Sequence, residues 1–263
     1  MKKVIAALSL SALLASGFSA LDSYRRVPNN SFGPGEHIEY RVHYSFLNAA
    51  EATVEVSPTV YKVNDRPCYR VNVYGRTVGA FDLVTRIRDT WRSYIDTTAI
   101  VPQKFYLNIQ EGNHRKEANV TFDHQNNLVR SEEEATKDII KVPDNVQDVI
   151  SGYFYLRTID FNKLSVGQTL EVPAFFDKEL YNMRVRYRGK DVVKTKFGRI
   201  NVIKLNPVMP PNKLFKGEES IRIWVSDDTN KVPVKVEVDL MVGAMEMDLR
   251  HYSGLKQNLR FFK

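Results

Sequence analysis

The sequence predicts a mainly β protein: a large antiparallel sheet curled into a barrel-like or half-barrel form, made of two duplicated β-rich halves with one short connecting helix. Three observations predict it. About twelve segments alternate apolar and polar residues with the period of two expected of half-buried strands. A single segment spaces its apolar residues three and four apart. Several residue groups recur about 132 positions further along the chain. A curved sheet of ~12 strands must close, split or enclose something.

Residues 1–20 have the three parts of a secretory signal: Lys2 and Lys3, the apolar run Val4 to Ala15, and the small residues Ser16, Gly17, Ser19 and Ala20. The apolar run is shorter than the ~20 residues of a spanning helix. Cleavage after Ala20 leaves residues 21–263 as one exported β-rich domain with no transmembrane segment. No cysteine follows the signal region closely, which excludes a lipid-anchored form.

In the first half, about residues 33–130, Ile38, Tyr40, Val42, Tyr44 and Phe46 alternate with His37, Glu39, Arg41, His43 and Ser45. Further strands are predicted at Ala52–Val56, Cys68–Tyr74, Val84–Ile95, Lys104–Ile109 and Ala118–Phe122, separated by Gly, Pro, Asn and Asp. A loop and helix, about 131–160, follow. Ser131–Asp138 is charged and reads as a solvated loop or hairpin. Asp144–Arg157, opened by Asp and Asn capping candidates after Pro143, aligns Val146, Val149, Ile150, Tyr153, Phe154 and Arg157 on one helical side. The second half, about 165–254, has strand patterns at Leu170–Phe175, Met183–Tyr187, Ile200–Leu205, Ile221–Val225, Val232–Leu240 and Ala244–Tyr252.

The halves match in order. Gly35-Glu36-His37-Ile38-Glu39 corresponds to Gly167-Gln168-Thr169-Leu170-Glu171, Trp91 to Trp224, Asp96 to Asp228 and Pro102 to Pro233. Each repeat reads as a tryptophan on one strand, a turn built on Asp, and Val-Pro entering the next strand, where a residue without an N–H is tolerated. Trp91 and Trp224 are therefore expected to be core anchors.

Chemistry is sparse. No phosphate-cradling Gly-x-x-x-x-Gly-Lys loop, Gly-x-Ser-x-Gly elbow or His-Glu-x-x-His pair occurs. The five histidines are scattered, and His37 with Glu39 reads as a polar strand face. No metal site, cofactor or catalytic residue is predicted. The lone Cys68 reads as a small buried hydrophobe. The formal charge of +7 falls to 36 basic against 31 acidic residues once Lys2 and Lys3 leave, which is no footprint for nucleic acid. Local cationic faces remain: Arg86, Arg88 and Arg92 on one strand, and Arg184, Arg186, Arg188 and Lys190 on another. They are candidate contacts for an anionic envelope surface, or a solvated face paired with acids such as Glu218, Glu219 or Glu237.

Phe32-Gly33-Pro34-Gly35-Glu36-His37-Ile38-Glu39-Tyr40-Arg41-Val42-His43-Tyr44, Asp89–Asp96 with Val101-Pro102, and Trp224–Asp228 with Val232-Pro233 together resemble the bacterial exported family of domain of unknown function 3108. The resemblance spans most of the mature chain. It implies a signal-bearing, β-rich envelope protein of Gram-negative bacteria, with no established activity or catalytic residues to carry over. Leu47-Asn48-Ala49-Ala50-Glu51-Ala52 departs from it, since relatives tend to have a glycine there.

The preferred reading is a periplasmic protein that binds an apolar or lipid-like ligand without catalysis, in an apolar space enclosed by the sheet. The alternatives are a structural or protein-interaction module of the envelope, an enzyme acting on envelope polymers through Asp96, Asp228 or Glu39, and an outer-membrane barrel ending in Leu259-Arg260-Phe261-Phe262.

Overall fold

The computed structural model describes residues 24–133, 136–209 and 215–263, so the predicted signal at 1–20 lies outside the described residues. The strands are β1 (His37–Tyr44), β2 (Leu47–Val63), β3 (Arg66–Thr77), β4 (Arg88–Asp96), β5 (Pro102–Glu111), β6 (His114–Asp123), β7 (Leu128–Glu133), β8 (Thr136–Lys141), β9 (Thr169–Phe176), β10 (Glu179–Thr195), β11 (Gly198–Val208), β12 (Ile221–Ser226), β13 (Pro233–Asp239) and β14 (Ala244–Ser253). They form one antiparallel sheet of 14 strands in the order β8-β7-β6-β5-β4-β3-β2-β1-β14-β13-β12-β11-β10-β9. Two meanders are thus joined through the β1–β14 ladder. Strands β9–β14 repeat the order of β1–β6, and β9 begins at Thr169 where β1 begins at His37, 132 residues earlier.

The ladder does not close, but the sheet curls until its two ends meet through side chains. Phe176 of β9 stacks on Trp91 of β4 at 5.5 Å, and Phe175 meets Phe122 of β6 edge-on at 6.4 Å. Lys116 of β6 bonds Asp177 at 2.5 Å, and Lys178 reaches Asp138 of β8 at 3.1 Å. The exposed β9 edge is covered by Gln147, whose N–H donates to Pro173 O (2.8 Å) and whose carbonyl accepts from Phe175 N (2.7 Å). Such coverage satisfies backbone groups that an open edge would leave unpaired.

Helix α2 (Val149–Arg157) fills the curl. The predicted helix started at Asp144; the structure starts it at Val149, because residues before it serve the β9 edge and Asp148 supplies the cap. Its Oδ1 accepts from Ile150 N and Ser151 N, and Ser151 Oγ returns a bond to Asp148 N, a reciprocal capping box. Val146, Ile150 and Phe154 pack against Phe32, Val71, Phe105, Val120 and Phe122. On the other side Phe161, Val185, Tyr187, Ile203, Leu205 and Val225 form a second cluster with Leu156.

A second helix, α1 (Gly79–Val84), replaces the start of the predicted strand at Val84–Ile95, which begins only at Arg88. Gly79, at φ +58°, lets the chain leave β3, and Thr77 Oγ1 ties the excursion together by donating to Asp82 and accepting from Ile87 N. None of the α1 residues is buried, so no apolar stripe announces it. The charged segment at 131–138 contributes to the β7–β8 hairpin.

Candidate functional site

Register assigns each predicted residue to a face. Ile38, Val54, Val73, Trp91 and Leu107 are successive ladder partners, so Trp91 stands on the face that packs against α2. Arg41, Asp248, Lys235, Trp224 and Lys204 form another such row, in which Trp224 is buried as expected, in a further hydrophobic cluster with Val202, Val234 and Leu249. Lys204 and Lys235 lie over the Trp224 ring at 5.1 and 5.7 Å, and its Nε1 donates to Asp191 at 3.3 Å. Trp91 and Trp224 are therefore not equivalent in space. Both hairpins carry a bulge just before the proline: Tyr94 pairs Lys104 ahead of Ile95–Pro102, and Trp224 pairs Lys235 ahead of Val225–Pro233. The counterpart of Trp224 is Tyr94, three residues beyond Trp91. Pro102 and Pro233 do occupy the same place, each opening its strand.

Asp96 and Asp228 each hold a turn. Asp96 Oδ1 accepts from Thr98 N and Ala99 N, and Asp228 Oδ1 from Asn230 N and Lys231 N. Asp96 is also fully buried and bonded by Arg66 Nε at 2.5 Å. Beside it Cys68 is buried, and burial, reinforced by Asp96, pushes its thiol up to about 12. Glu39 lies elsewhere, on β1, with His37 Nε2 at 3.2 Å.

The arginine rows are largely paired. Arg186 and Arg188 both clamp Glu219, whose carboxyl they hold below its usual range, and Lys190 pairs with Asp227 at 2.9 Å. Arg184 is exposed. Arg88 forks onto Asp82 at 2.7 and 3.0 Å; that fork, with the bond from Thr77, brings the Asp82 carboxyl down to about 2. Arg86 is exposed beside it, and Arg92 Nε donates to Asn72 Oδ1 at 2.7 Å.

The interior, packed around α2, also contains a buried polar knot. Arg157, at the end of α2, bonds Glu36 through Nη1 (2.5 Å) and Nη2 (2.8 Å), the Ser31 carbonyl through Nη2 (3.1 Å) and the Asn230 carbonyl through Nε (2.8 Å). One side chain thus ties the helix to the segment before β1 and to the β12–β13 hairpin. Asp148 is also fully buried; besides its cap it accepts from Ser93 Oγ at 2.6 Å, and burial raises its carboxyl to about 6. The sequence pattern places Arg157 only on a helix face. Its position at the end of an apolar stripe was the available signal.

Two surface features remain. The first is a groove of about 490 Å³ on the polar face, crossing β14, β1, β2, β3, β4 and β5 and lined by Glu39, Glu51, Thr53, Tyr74, Arg76, Arg88, Thr90 and Arg250, among others. Arg76 Nη2 bonds Glu51 at 2.6 Å and Arg250 Nη1 bonds it at 3.1 Å; these contacts, Arg76 foremost, lower the Glu51 carboxyl.

The second is an apolar rim where three connections meet: the β1–β2 turn, α1 and the β13–β14 turn. Ser45 N donates to Ala244 O (3.2 Å), Tyr44 Oη to Val242 O (3.1 Å) and Val78 N to Ala49 O (3.0 Å), and Tyr44 lies edge-on to Phe81 at 6.0 Å. The four most exposed large apolar side chains among the described residues are all here: Leu83 (90%), Phe46 (86%), Val84 (84%) and Val242 (77%). Met241 adjoins them.

The family described as protein of unknown function DUF3108 matches residues 39–250. No curated protein matches the chain. Among solved structures, a β-barrel-like protein of domain of unknown function DUF1849 from Brucella abortus superposes with a TM-score of 0.53 at 11% identity, covering 88% of this chain and 98% of that one. A DUF1089 family protein from Pseudomonas aeruginosa gives 0.38 at 9% identity over 70% and 87% of the two chains. A candidate exported protein with a YmcC-like fold from Bacteroides fragilis gives 0.33 at 12% identity over 88% and 100%. The first of these shares the fold.

Proposed function

The chain belongs to the DUF3108 family, and from that premise we propose that it is a non-catalytic protein of the cell envelope that binds a lipid surface through its apolar rim. The observation carrying this reading is the convergence of Phe46, Leu83, Val84, Met241 and Val242 on three adjoining loops. Scattered exposed apolar residues need no explanation, whereas a contiguous group marks a contact surface. Its charge favours anionic lipid: the only acid in the three loops, Asp82, is neutralised by Arg88, and Arg86 remains exposed. Export supports the reading through the signal-like Lys2-Lys3 and Val4–Ala15. The matching order of β1–β6 and β9–β14 supports an origin by duplication, with the rim falling at the seam where β1 meets β14.

The test is flotation with vesicles of phosphatidylethanolamine and phosphatidylglycerol. Burying one Leu, Val or Phe side chain stabilises by roughly 1.5–3 kcal/mol, so Leu83→Asp or Phe46→Asp should each weaken binding by about tenfold or more. Replacing Arg86 by Gln should weaken binding only to the anionic vesicles. Equal flotation of wild type and Leu83→Asp would refute the proposal.

A further inference from the structure

The polar groove has features of its own that the lipid reading leaves unused. Its lining sets three carboxylates, Glu39, Glu51 and Asp89, against three guanidinium groups, Arg76, Arg88 and Arg250. Arg88 is also held by Asp82, outside the lining, so the groove carries no excess of positive charge to attract an anion. It does offer acceptors and donors side by side, and the bonds Arg76 and Arg250 make to Glu51 engage only part of each guanidinium's five N–H groups. The volume, about 490 Å³, is within the range of small-molecule sites.

An aromatic face completes the groove. Glu39, Thr53, Tyr74 and Thr90 are successive ladder partners across β1–β4, which places Tyr74 between Thr53 and Thr90. Tyr74 is 37% exposed, and its orientation is set by the neighbouring row of side chains on the same face. Its Oη donates to Glu55 Oε1 at 3.1 Å, Asn72 Nδ2 donates to the same oxygen at 2.9 Å, and Arg92 Nε holds Asn72 Oδ1 at 2.7 Å. A ring fixed in advance loses little entropy on meeting a ligand. A flat π face attracts weakly polarised C–H groups, and the surrounding charged pairs match hydroxyls. Sugars present both kinds of surface at once.

We propose that this groove binds a neutral oligosaccharide, with one sugar ring against Tyr74 and its hydroxyls bonded to the carboxylates and guanidinium groups around it. The proposal is independent of the lipid reading, since soluble sugars test it without a membrane. The experiment applies the purified protein to an array of neutral and acidic oligosaccharides, followed by saturation-transfer NMR with maltotriose and triacetylchitotriose as neutral probes and trigalacturonic acid as the acidic one. The result expected is binding of neutral glycans, weakened about tenfold by Tyr74→Ala and by less than about twofold by Tyr74→Phe, which keeps the ring. Leu83→Asp, at the rim, should leave sugar binding unchanged. The proposal is overturned by absence of neutral-glycan binding across the array and both probes, by a preference for trigalacturonic acid, or by binding that Tyr74→Ala does not alter.

Discussion

Asp148 provides a quantitative test of how the helix is held. Its carboxyl is fully buried, caps α2 through Ile150 N (2.8 Å) and Ser151 N (2.7 Å), and accepts from Ser93 Oγ (2.6 Å). These bonds favour the charged form, yet burial outweighs them and lifts the group from an ordinary 3.8 to about 6. A raised carboxyl binds its proton more tightly in the folded chain than in the unfolded one. Its contribution to stability is therefore complete below the unfolded value and is lost as pH rises through the folded value. The whole loss is roughly 3 kcal/mol, of which about 2 kcal/mol falls between about pH 4.5 and about pH 7.5. Asp148→Asn keeps an acceptor for the two helix N–H groups and lets the Ser93 hydroxyl turn to accept from the amide. It removes only the titration. Urea unfolding followed by tryptophan fluorescence at the two pH values should show the variant gaining about 2 kcal/mol on the wild type as pH rises. A stability difference that stays constant within about 0.5 kcal/mol would refute the argument that burial dominates at this site.

The Arg157–Glu36 pair should respond differently. Glu36→Gln leaves a guanidinium uncompensated in the interior and should destabilise by about 3–5 kcal/mol, seen as a fall in Tm of roughly 10 °C by calorimetry. Combining Arg157→Met with Glu36→Leu should recover part of that loss, the remainder reflecting the carbonyls of Ser31 and Asn230 left without their donor. Gly254 follows β14 at φ +67°, and a Cβ there would run into the carbonyl of Gly35. Gly254→Ala should therefore destabilise by about 2 kcal/mol or more in the same assay, whereas Gly75→Ala, with no such contact, should change stability by less than about 1 kcal/mol.

Much of the fold was legible because the information needed was local. Alternation at Ile38, Tyr40 and Val42 marks a strand wherever its partners lie, and Val-Pro at 101–102 and 232–233 restricts the backbone by its own covalent geometry. The helix was visible in the spacing of Val149, Ile150, Tyr153 and Phe154. Helix α1 was not, since six residues with no buried side chain leave no periodic trace. The tryptophan correspondence failed for a related reason. Equal spacing in the chain ignores the extra residue in one hairpin and the bulges that reset register, and a shift of three residues exchanges the faces of a strand.

By itself the sequence determined a β-rich chain, an interior helix, the absence of the familiar nucleotide, hydrolase and zincin motifs, and membership of a family without a known activity. Tertiary structure alone decided what the curled sheet encloses. Helix α2 packs inside it, tied by Arg157 to Glu36, 121 residues away, while Gln147 covers the β9 edge. It also gathered Phe46, Leu83 and Val242 onto one rim and Glu39, Tyr74 and Arg250 around one groove, from strands and turns far apart in the chain. A sequence pattern records which side of its own element a residue takes; which residues share a surface is decided by long-range register, and that exists only once the sheet has formed.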